Sequence, residues 1–349
     1  MEKRKLTFSP PDITEREIAE VVDTLRSGWI TTGPKTKKFE DEIAKYCGTK
    51  KSVALNSATA AMELALRLFD IGEGDEVITS AYTYTASASV VYHCGAKIIL
   101  ADTKGEFNID PIEIEKLITP RTKAIIPVDI AGLPADYAEI FEVVEKKRNI
   151  FNAKKGTYQE KLGRILVLAD SAHSFGSDYK GKKIGSVADI TSFSFHAIKN
   201  LTTAEGGALT WNLPENFDNE EIYKELMLLA LHGQNKDALA KLKAGAWKYD
   251  IVMPGYKCNM TDIMASIGLV QLQRYDGEIL KKKEELVSYY EKYLGDLTDK
   301  IELPIFKNDI KESCKHLYMI RLKNQDEEKR NEVIAKLGEN DIATNVHFQ

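Results

Sequence analysis

The sequence predicts an α/β protein with a mostly parallel central sheet flanked by helices, followed by a small α+β domain at the C-terminal end. Between residues 50 and 211, short strand-like runs alternate with helical patterns, which is typical of a parallel sheet covered by helices. Beyond Pro214 this alternation stops, and the chain changes to helices and then to a short mixed region. The 349 residues, of which 43% are hydrophobic, suffice for a core divided between a large and a smaller domain.

Within residues 50–211, the strand-like runs and the helical runs that follow several of them support the predicted sheet. "SVALN" precedes the helical "ATAAMELALRLF", "DEVITS" precedes "YTASASVVYHCG", and "AKIILAD" stands before "TKAIIPVDI" and the helical "DYAEIFEVVEKK". The strands "RILVLAD", "DITSFSF" and "GALTW" follow, with connections too short for full crossover helices. Because ligands of open α/β sheets bind at the carboxyl ends of the strands, we expect Asp170 and the residues after Phe195 to border a ligand site.

Helices and irregular segments dominate the chain after Pro214. A helix is predicted over residues 220–232, an irregular segment follows it, and Thr261 can cap a long helical stretch that divides near residues 276–277. The polar segment 147–162 interrupts the alternation, and we expect an exposed insertion there. The patterns "IELPIF", "HLYMIRL", "EEKRNEVIAKLG" and "ATNVHF" predict strand, strand, helix and strand in the small domain.

Composition excludes several classes of partner. A formal net charge of −5 argues against a nucleic-acid surface, which needs clustered Lys and Arg. No segment reaches about 18 uninterrupted apolar residues, so we expect neither a signal peptide nor a membrane span. The four cysteines form no CxxC pair, which predicts no disulfide framework, no metal site and a reduced, cytoplasmic protein.

Lys199 follows a strand in which two serines share one face and two phenylalanines share the other, in the run "SFSFHAIKNLTTAEGG". A lysine just past such a strand can be partly desolvated. Desolvation lowers the pKa of an amine, which makes it a nucleophile toward an aldehyde near neutral pH. Taken alone, a surface lysine remains the simpler interpretation.

Asp170 makes a reactive lysine more plausible, because it ends the hydrophobic strand "RILVLAD" and is followed by the small residues "SAHS". A carboxylate there can keep a pyridine nitrogen protonated, which is what lets pyridoxal phosphate act as an electron sink. Tyr82 and Tyr84, in "SAYTYTASA", are the aromatic candidates for stacking on such a ring. A loop-capping Asp and core-packed tyrosines are the alternatives.

A phosphate group needs its own site, and the stretch "NSATAAMELAL" predicts one. A strand ends at Asn56, and Ser57, Ala58 and Thr59 begin a helix whose amino-terminal N–H groups can bind an anion. Ser194, on the strand that leads to the lysine, could reach the same phosphate. A simple Ser or Thr helix cap is the common alternative.

Together these segments resemble the DegT/DnrJ/StrS family of sugar aminotransferases. The resemblance rests on "LNSATAAMELAL", "AYTYTASA", "FNIDP", "ITPRTKAIIPV", "LADSAHSFGSDYKGKKIGSVADITSFSF", "SFSFHAIKNLTTAEGGAL" and "GYKCNMTDIMASIGLVQL", in the family's order from residue 29 onward. It implies a fold type I pyridoxal-phosphate enzyme that aminates nucleotide-linked keto sugars for surface-glycan biosynthesis. "FHAIKNLTTAEGG" and "GYKCNMTDI" are most similar to the enzymes that make UDP-4-amino-4-deoxy-arabinose.

The resemblance implies roles for the candidate cofactor residues. Lys199 would form the Schiff base with pyridoxal phosphate and move the proton, and glutamate would convert the cofactor to pyridoxamine phosphate, which aminates a 4-keto sugar. The residues implied to hold the cofactor are Ala58, Thr59, Tyr84, Asp170, His173 and Ser194.

Further residues are implied to lie at a subunit interface and at the substrate. In these homodimers the neighbouring subunit supplies an asparagine to the phosphate, and Asn259 is the candidate here, although "GYKCNM" departs from the usual "GYNYRM". Thr31, Thr32, Gly33 and His347 match substrate-side positions.

The resemblance also implies the domain organisation. We expect residues 1–28 to pack on the small domain, residues 29–258 to form the large cofactor-binding domain, and residues 259–349 to form a small domain that is incomplete at its end.

Three rival functions differ from sugar amination in testable ways. Related dehydratases carry histidine in place of the lysine, so Lys199 argues against deoxygenation. A Ser-x-x-Lys hydrolase is excluded because the residue three positions before Lys199 is His196. A non-catalytic regulatory or binding protein of the same family remains, and it would lack a cofactor bound covalently to the lysine.

Overall fold

The central sheet has seven strands and follows the predicted order of elements. In a computed structural model that describes residues 5–235 and 248–348, the chain forms the following strands. They are β1 (Ser52–Leu55), β2 (Glu76–Ser80), β3 (Lys97–Ala101), β4 (Thr122–Ile126), β5 (Leu166–Asp170), β6 (Asp178–Tyr179), β7 (Lys182–Lys183), β8 (Ile190–Ser194), β9 (Gly207–Trp211), β10 (Ile301–Glu302), β11 (Lys311–Glu312) and β12 (Arg321–Leu322). The large sheet has the order β1-β9-β8-β5-β4-β2-β3. All its neighbours are parallel except the two pairs that β9 forms with β1 and β8. The predicted α/β fold with a mostly parallel sheet is confirmed.

Helices cover both faces of this sheet. They are α1 (Glu15–Ser27), α2 (Pro34–Cys47), α3 (Ala58–Leu68), α4 (Ala86–His93), α5 (Pro111–Leu117), α6 (Tyr137–Lys146), α7 (Tyr158–Leu162), α8 (Asn219–Ala230), α9 (Asp262–Arg274), α10 (Lys281–Leu294) and α11 (Glu327–Glu339). One apolar layer packs α2, α6 and α9 on the sheet, and a second packs α3, α4 and α8 on the opposite face. Phe193 and Phe195 are both fully buried in the first layer, so the Ser-Phe alternation divides the two faces as expected.

The break expected near residues 276–277 is a π-helical segment, Tyr275–Leu280, which joins α9 to α10. Thr261 caps α9 by accepting a hydrogen bond from the Met264 amide, as predicted. Part of the predicted irregular segment before it, residues 236–247, lies outside the described residues. None of the helices in the described ranges is both long and apolar enough to cross a membrane.

One prediction about local structure was wrong and another was confirmed only in part. The segment 147–162 is mostly exposed or half-buried, as expected of an insertion, but its helix α7 buries Gln159, whose side-chain amide donates to the Phe69 carbonyl at 2.9 Å. The predicted last strand, "ATNVHF", does not form among the described residues. Ile342, the residue just before it, makes a β-bridge with Leu6 near the start of the chain. In both cases a tertiary contact replaced what local polarity or periodicity suggested.

The N-terminal segment is tied to the later part of the chain by buried charges. Arg274, on α9, donates to Glu17 on α1 at 2.7 Å, and both side chains are almost fully buried. Gln271 donates to the same carboxylate at 2.9 Å. These contacts place α1 against α9, while α9 also packs on α2 in the main layer. The domain boundaries at residues 28 and 258 stay predictions.

Candidate active site

The predicted cofactor residues converge at the carboxyl edge of the sheet. Gly207 at the start of β9 pairs on one side with Leu55 at the end of β1. On the other side it pairs with Ser194 at the end of β8. Asp170 ends β5 and pairs with Ser192 on β8. Because β1, β5 and β8 run parallel, their carboxyl ends bring the start of α3, Ser194 and Asp170 to one edge of the sheet.

Asp170 is a buried carboxylate that accepts hydrogen bonds from two neighbouring groups. One oxygen accepts from the Ser87 hydroxyl at 2.6 Å, and the other accepts from the Ala172 amide at 3.2 Å. Within the described ranges Asp170 forms no salt bridge, although it is only 5% exposed. Burial raises the pKa of its carboxyl, while the Ser87 hydrogen bond and the Lys199 charge oppose this rise. A protonated pyridine nitrogen fits the site, because it supplies the missing cation.

Lys199 lies on a tight turn directly after β8. Its backbone N–H donates to the His196 carbonyl at 2.9 Å, and its side chain is partly buried. Burial lowers the pKa of the Lys199 amine to about 8, and the negative charge of Asp170 limits the fall. The amine is therefore available as a nucleophile at mildly alkaline pH.

This pKa predicts how cofactor loading depends on pH. Only the neutral amine attacks an aldehyde, so the rate at which cofactor-free protein binds pyridoxal phosphate covalently should rise with pH and reach half its maximum near pH 8. An ordinary lysine would give a midpoint near about 10.4. Stopped-flow absorbance measures the rate. In Asp170→Asn the midpoint should fall further, because the charge that raises the pKa is removed; a wild-type midpoint at or above pH 10 would contradict the assignment.

The "TTAEGG" stretch after the lysine closes the turn back onto β8. The Phe195 carbonyl accepts from the Thr203 amide at 2.8 Å and from the Thr202 hydroxyl at 3.2 Å. Ala204 adopts a left-handed backbone conformation, with φ of 70°. Glycine adopts that conformation without a steric penalty, whereas an alanine is strained in it. The small residues therefore shape the turn that carries Lys199.

The phosphate site predicted at the start of α3 is present as a helix N-terminus. Ser57 caps the helix, since its hydroxyl accepts from the Ala60 amide at 3.1 Å. Ala58 and Thr59 occupy the first turn, where backbone N–H groups have no intrahelical acceptor and can bind an anion. Ser194 is partly buried two strands away. These groups fit the phosphate of the implied cofactor.

Gly207 allows β9 to approach this helix start very closely. A Cβ at Gly207 would lie 2.3 Å from the Ser57 carbonyl carbon and 2.5 Å from the Ala58 nitrogen. Any side chain would therefore push the phosphate-binding turn away from the sheet edge.

Gly207→Ala is accordingly expected to weaken binding of pyridoxal phosphate about 5- to 150-fold, the factor that corresponds to about 1–3 kcal/mol of overpacking. Equilibrium titration of the cofactor-free protein by absorbance measures this. Gly338→Ala is the matched control, because no heavy atom lies within 4 Å of its added Cβ. Unchanged affinity in Gly207→Ala would show that this turn does not hold the phosphate.

Of the two candidate stacking tyrosines, only Tyr84 is open to a ligand. Tyr84 is 66% exposed and lies two residues before α4 begins. The Tyr82 ring instead stacks on Phe107, with ring centroids 4.9 Å apart and an interplanar angle of 25°. Tyr84 is thus the better placed of the two for a cofactor ring.

The Lys199 charge acts on both His173 and His347, so the three side chains are neighbours, while the roles of the two histidines toward cofactor and substrate stay predictions. The His173 Nδ1 accepts a hydrogen bond from the Ala131 amide at 3.3 Å, so the proton of the neutral ring is on Nε2. Burial and the Lys199 charge lower the pKa of both histidines. The two rings are 6.3 Å apart, centroid to centroid.

The segment 31–33 and Asn259 are held together by contacts within the chain. The Asn259 amide donates to the Thr32 hydroxyl at 2.5 Å, and the Thr32 hydroxyl donates to the Met260 carbonyl. The Gly33 amide donates to Asp262 at 2.8 Å, whereas Thr31 is exposed. None of these contacts involves Lys199, so the roles of these residues toward phosphate and substrate stay predictions.

Sequence reasoning missed three residues that contact the candidate site residues. Ser87 donates to Asp170, and Asn200 and His316 form a hydrogen bond directly beside Lys199. Ser87 lies in the run "TASASVV" on α4, where no local pattern distinguishes it from other small residues. His316 comes from the C-terminal part of the chain, and only its neighbourhood in the fold reveals it. Among residues 5–235 and 248–348, no group of three or more potential metal ligands occurs.

The comparisons with known proteins agree with this geometry. The family described as DegT/DnrJ/EryC1/StrS aminotransferases matches residues 11–349. The chain is 40% identical over 350 residues to the spore coat polysaccharide biosynthesis protein SpsC of Bacillus subtilis, covering 98% of this chain and 83% of that protein. It is 37% identical over 360 residues to the UDP-4-amino-4-deoxy-L-arabinose–oxoglutarate aminotransferase of Shewanella sediminis, covering 100% and 84%.

The solved structures of Spr1654 from Streptococcus pneumoniae, whose description assigns it to the sugar aminotransferases, share the fold. Its pyridoxamine-phosphate form superposes with a TM-score of 0.94 at 53% identity, covering 99% of this chain and 86% of that one. Its pyridoxal-phosphate form gives a TM-score of 0.93 at 51% identity, covering 99% and 85%. The similarity therefore extends over nearly the whole chain.

Proposed function

The chain belongs to the DegT/DnrJ/EryC1/StrS aminotransferase family and is a pyridoxal-phosphate-dependent sugar aminotransferase; from that premise we propose that it transfers the amino group of glutamate to a nucleotide-linked 4-keto sugar. The name of the Shewanella relative pairs a UDP-linked 4-amino sugar with oxoglutarate, which is the keto acid that glutamate becomes on losing its amino group. The name of SpsC, a spore coat polysaccharide biosynthesis protein, supports a role in the biosynthesis of surface polysaccharide.

The observation that carries the proposal is the convergence of Lys199 and the buried Asp170 at the sheet edge where Ser57 opens α3. Bound pyridoxal phosphate would supply a ring that withdraws electrons from the reacting carbon. Asp170 would keep the ring nitrogen protonated, because its buried carboxylate needs a cation. The first-turn amides of α3 and Ser194 would hold the phosphate.

Lys199 would then serve as general acid and base. Its Nζ, once released, can accept a proton from the donor carbon and later deliver one to the sugar carbon. The pKa of about 8 favours this exchange near neutral pH, since the amine can hold or release a proton at little cost.

We further propose that two copies of the chain share their sites and work in the cytoplasm. The resemblance to homodimers that share their sites supports this pairing. Asn259 would approach the phosphate of the partner subunit. All four cysteines are free and buried, which is compatible with a reducing compartment.

The test is to incubate the purified protein with glutamate and a panel of nucleotide-linked 4-keto and 3-keto sugars. Mass spectrometry should show an amino sugar and oxoglutarate in equal amounts, with a 4-keto sugar preferred. Borohydride reduction should attach the cofactor to Lys199. A deoxygenated product would favour the dehydratase reaction, and absence of the covalent cofactor would favour a regulatory protein.

A further inference from the structure

We propose that His316 is a positioning residue that holds the turn carrying Lys199 through its hydrogen bond to Asn200. His316 is 5% exposed, and its Nδ1 lies 2.9 Å from the Asn200 side-chain oxygen. Asn200 directly follows Lys199 in the chain and is 7% exposed. A side chain from the C-terminal region thus acts on the reactive lysine through one neighbour.

The hydrogen bonds of Asn200 determine the orientation of its side-chain amide and the tautomer of His316. The Asn200 side-chain nitrogen donates to the Cys314 carbonyl at 2.8 Å and to the Tyr275 hydroxyl at 3.4 Å. Because a carbonyl only accepts, this orientation leaves the Asn200 oxygen as the acceptor toward His316. The proton of the neutral imidazole is therefore on Nδ1, and removing it would leave a buried oxygen without a donor.

The segment that contains His316 contacts both halves of the site. The ring of His316 lies 4.6 Å from that of His173, centroid to centroid. The Cys314 thiol donates to the His173 carbonyl at 3.0 Å. This close approach depends on Gly132, since a Cβ there would lie 2.8 Å from the Cys314 sulfur. One short segment therefore bridges the lysine turn and the loop that follows Asp170.

The charged and titratable groups around His316 keep its imidazole ring in one protonation state. Burial and then the charges of His173, Lys199, Lys283 and His347 hold the pKa of His316 well below its usual range. The ring stays neutral over the pH range in which Lys199 titrates. Its role is geometric, since it does not exchange protons in that range.

Two substitutions separate this role from simple packing. In His316→Asn the side-chain amide can place an N–H near the position of Nδ1, whereas in His316→Gln the amide lies one bond further out, near the position of Nε2. Both variants keep a polar side chain of reduced volume. If the bond to Asn200 matters, Asn should preserve the lysine turn and Gln should loosen it.

Hydrogen–deuterium exchange of the cofactor-free protein measures the turn directly. In His316→Gln, amides within residues 199–203 should exchange at least about tenfold faster, the factor expected when one hydrogen bond is lost. His316→Asn should stay within about twofold of wild type. Exchange in α3 and α9 reports on the integrity of the rest of the fold.

A second readout uses the bound cofactor. The pH midpoint of its absorbance should shift in His316→Gln and remain at the wild-type value in His316→Asn. Equal behaviour of the two variants, or a larger effect in Asn than in Gln, would overturn the inference. The inference rests on the proposed function only for the importance of Lys199. Since neither readout uses a sugar or glutamate, failure to aminate any substrate would count against the proposed function alone.

Discussion

Lys199→Ala is expected to lower the rate of amino transfer at least about 10⁴-fold, because the variant loses both the covalent attachment of the cofactor and the acid–base group. The remaining residues still provide a phosphate site and a partner for the pyridine nitrogen. The variant should therefore bind pyridoxal phosphate without being labelled by borohydride. Single-turnover measurements of oxoglutarate formation from glutamate, with mass mapping of the labelled peptide, test both statements.

Lys182→Ala is the matched control for this experiment. Lys182 is exposed on the short strand β7 and shares no contact with the site. Its loss should leave turnover and labelling unchanged. If Lys199→Ala kept more than a few per cent of wild-type turnover, or if borohydride labelled another lysine, a different residue would have to carry the chemistry.

Asp170→Asn is expected to reduce amino transfer about 10³-fold. A nearby carboxylate can raise the pKa of a cationic partner by up to about 3 units, and each unit corresponds to 1.36 kcal/mol, or about tenfold in rate. The amide has nearly the same shape, so the pocket should persist while the ring nitrogen loses its proton. Stopped-flow absorbance of the reaction with glutamate measures the effect on the first half-reaction.

Ser87→Ala is the comparison variant for the effect of Asp170→Asn on amino transfer. Ser87 donates to Asp170 at 2.6 Å, and this charge-assisted hydrogen bond is worth about 1.5–3 kcal/mol. We expect a loss of about tenfold, because the carboxylate itself remains. An Asp170→Asn variant that reacts within tenfold of wild type, or no more slowly than Ser87→Ala, would contradict the role of Asp170.

The site residues that could be predicted from sequence share one property. Asp170, Ser57 and Lys199 each stand next to a strand whose hydrophobic pattern is visible locally. The position at a strand end then follows from the topology of a parallel sheet, which places such ends at one edge. The residue identities supplied the chemistry, and the family resemblance identified the cofactor.

Residues that came from elsewhere in the chain could not be found in this way. Ser87 looks like any small helix residue until α4 brings it to Asp170. The polar pattern around Gln159 predicted exposure, but its amide is buried against the Phe69 carbonyl. The "ATNVHF" pattern predicted a strand, yet no strand is described there, and the nearest bridge joins Ile342, just before it, to Leu6. Each of these depends on a partner distant in sequence.

The sequence by itself determined the α/β class and the order of the strands along the chain, and it predicted Lys199 and Asp170 as the pair that binds the cofactor. These follow from periodicity and from chemistry that needs particular residue types. Only the tertiary structure decided that Tyr84 rather than Tyr82 is open to a ligand, and that His316 and Asn200 hold the lysine turn. The physical reason is that exposure and hydrogen bonding depend on which distant segments pack together, and local sequence patterns do not specify those contacts.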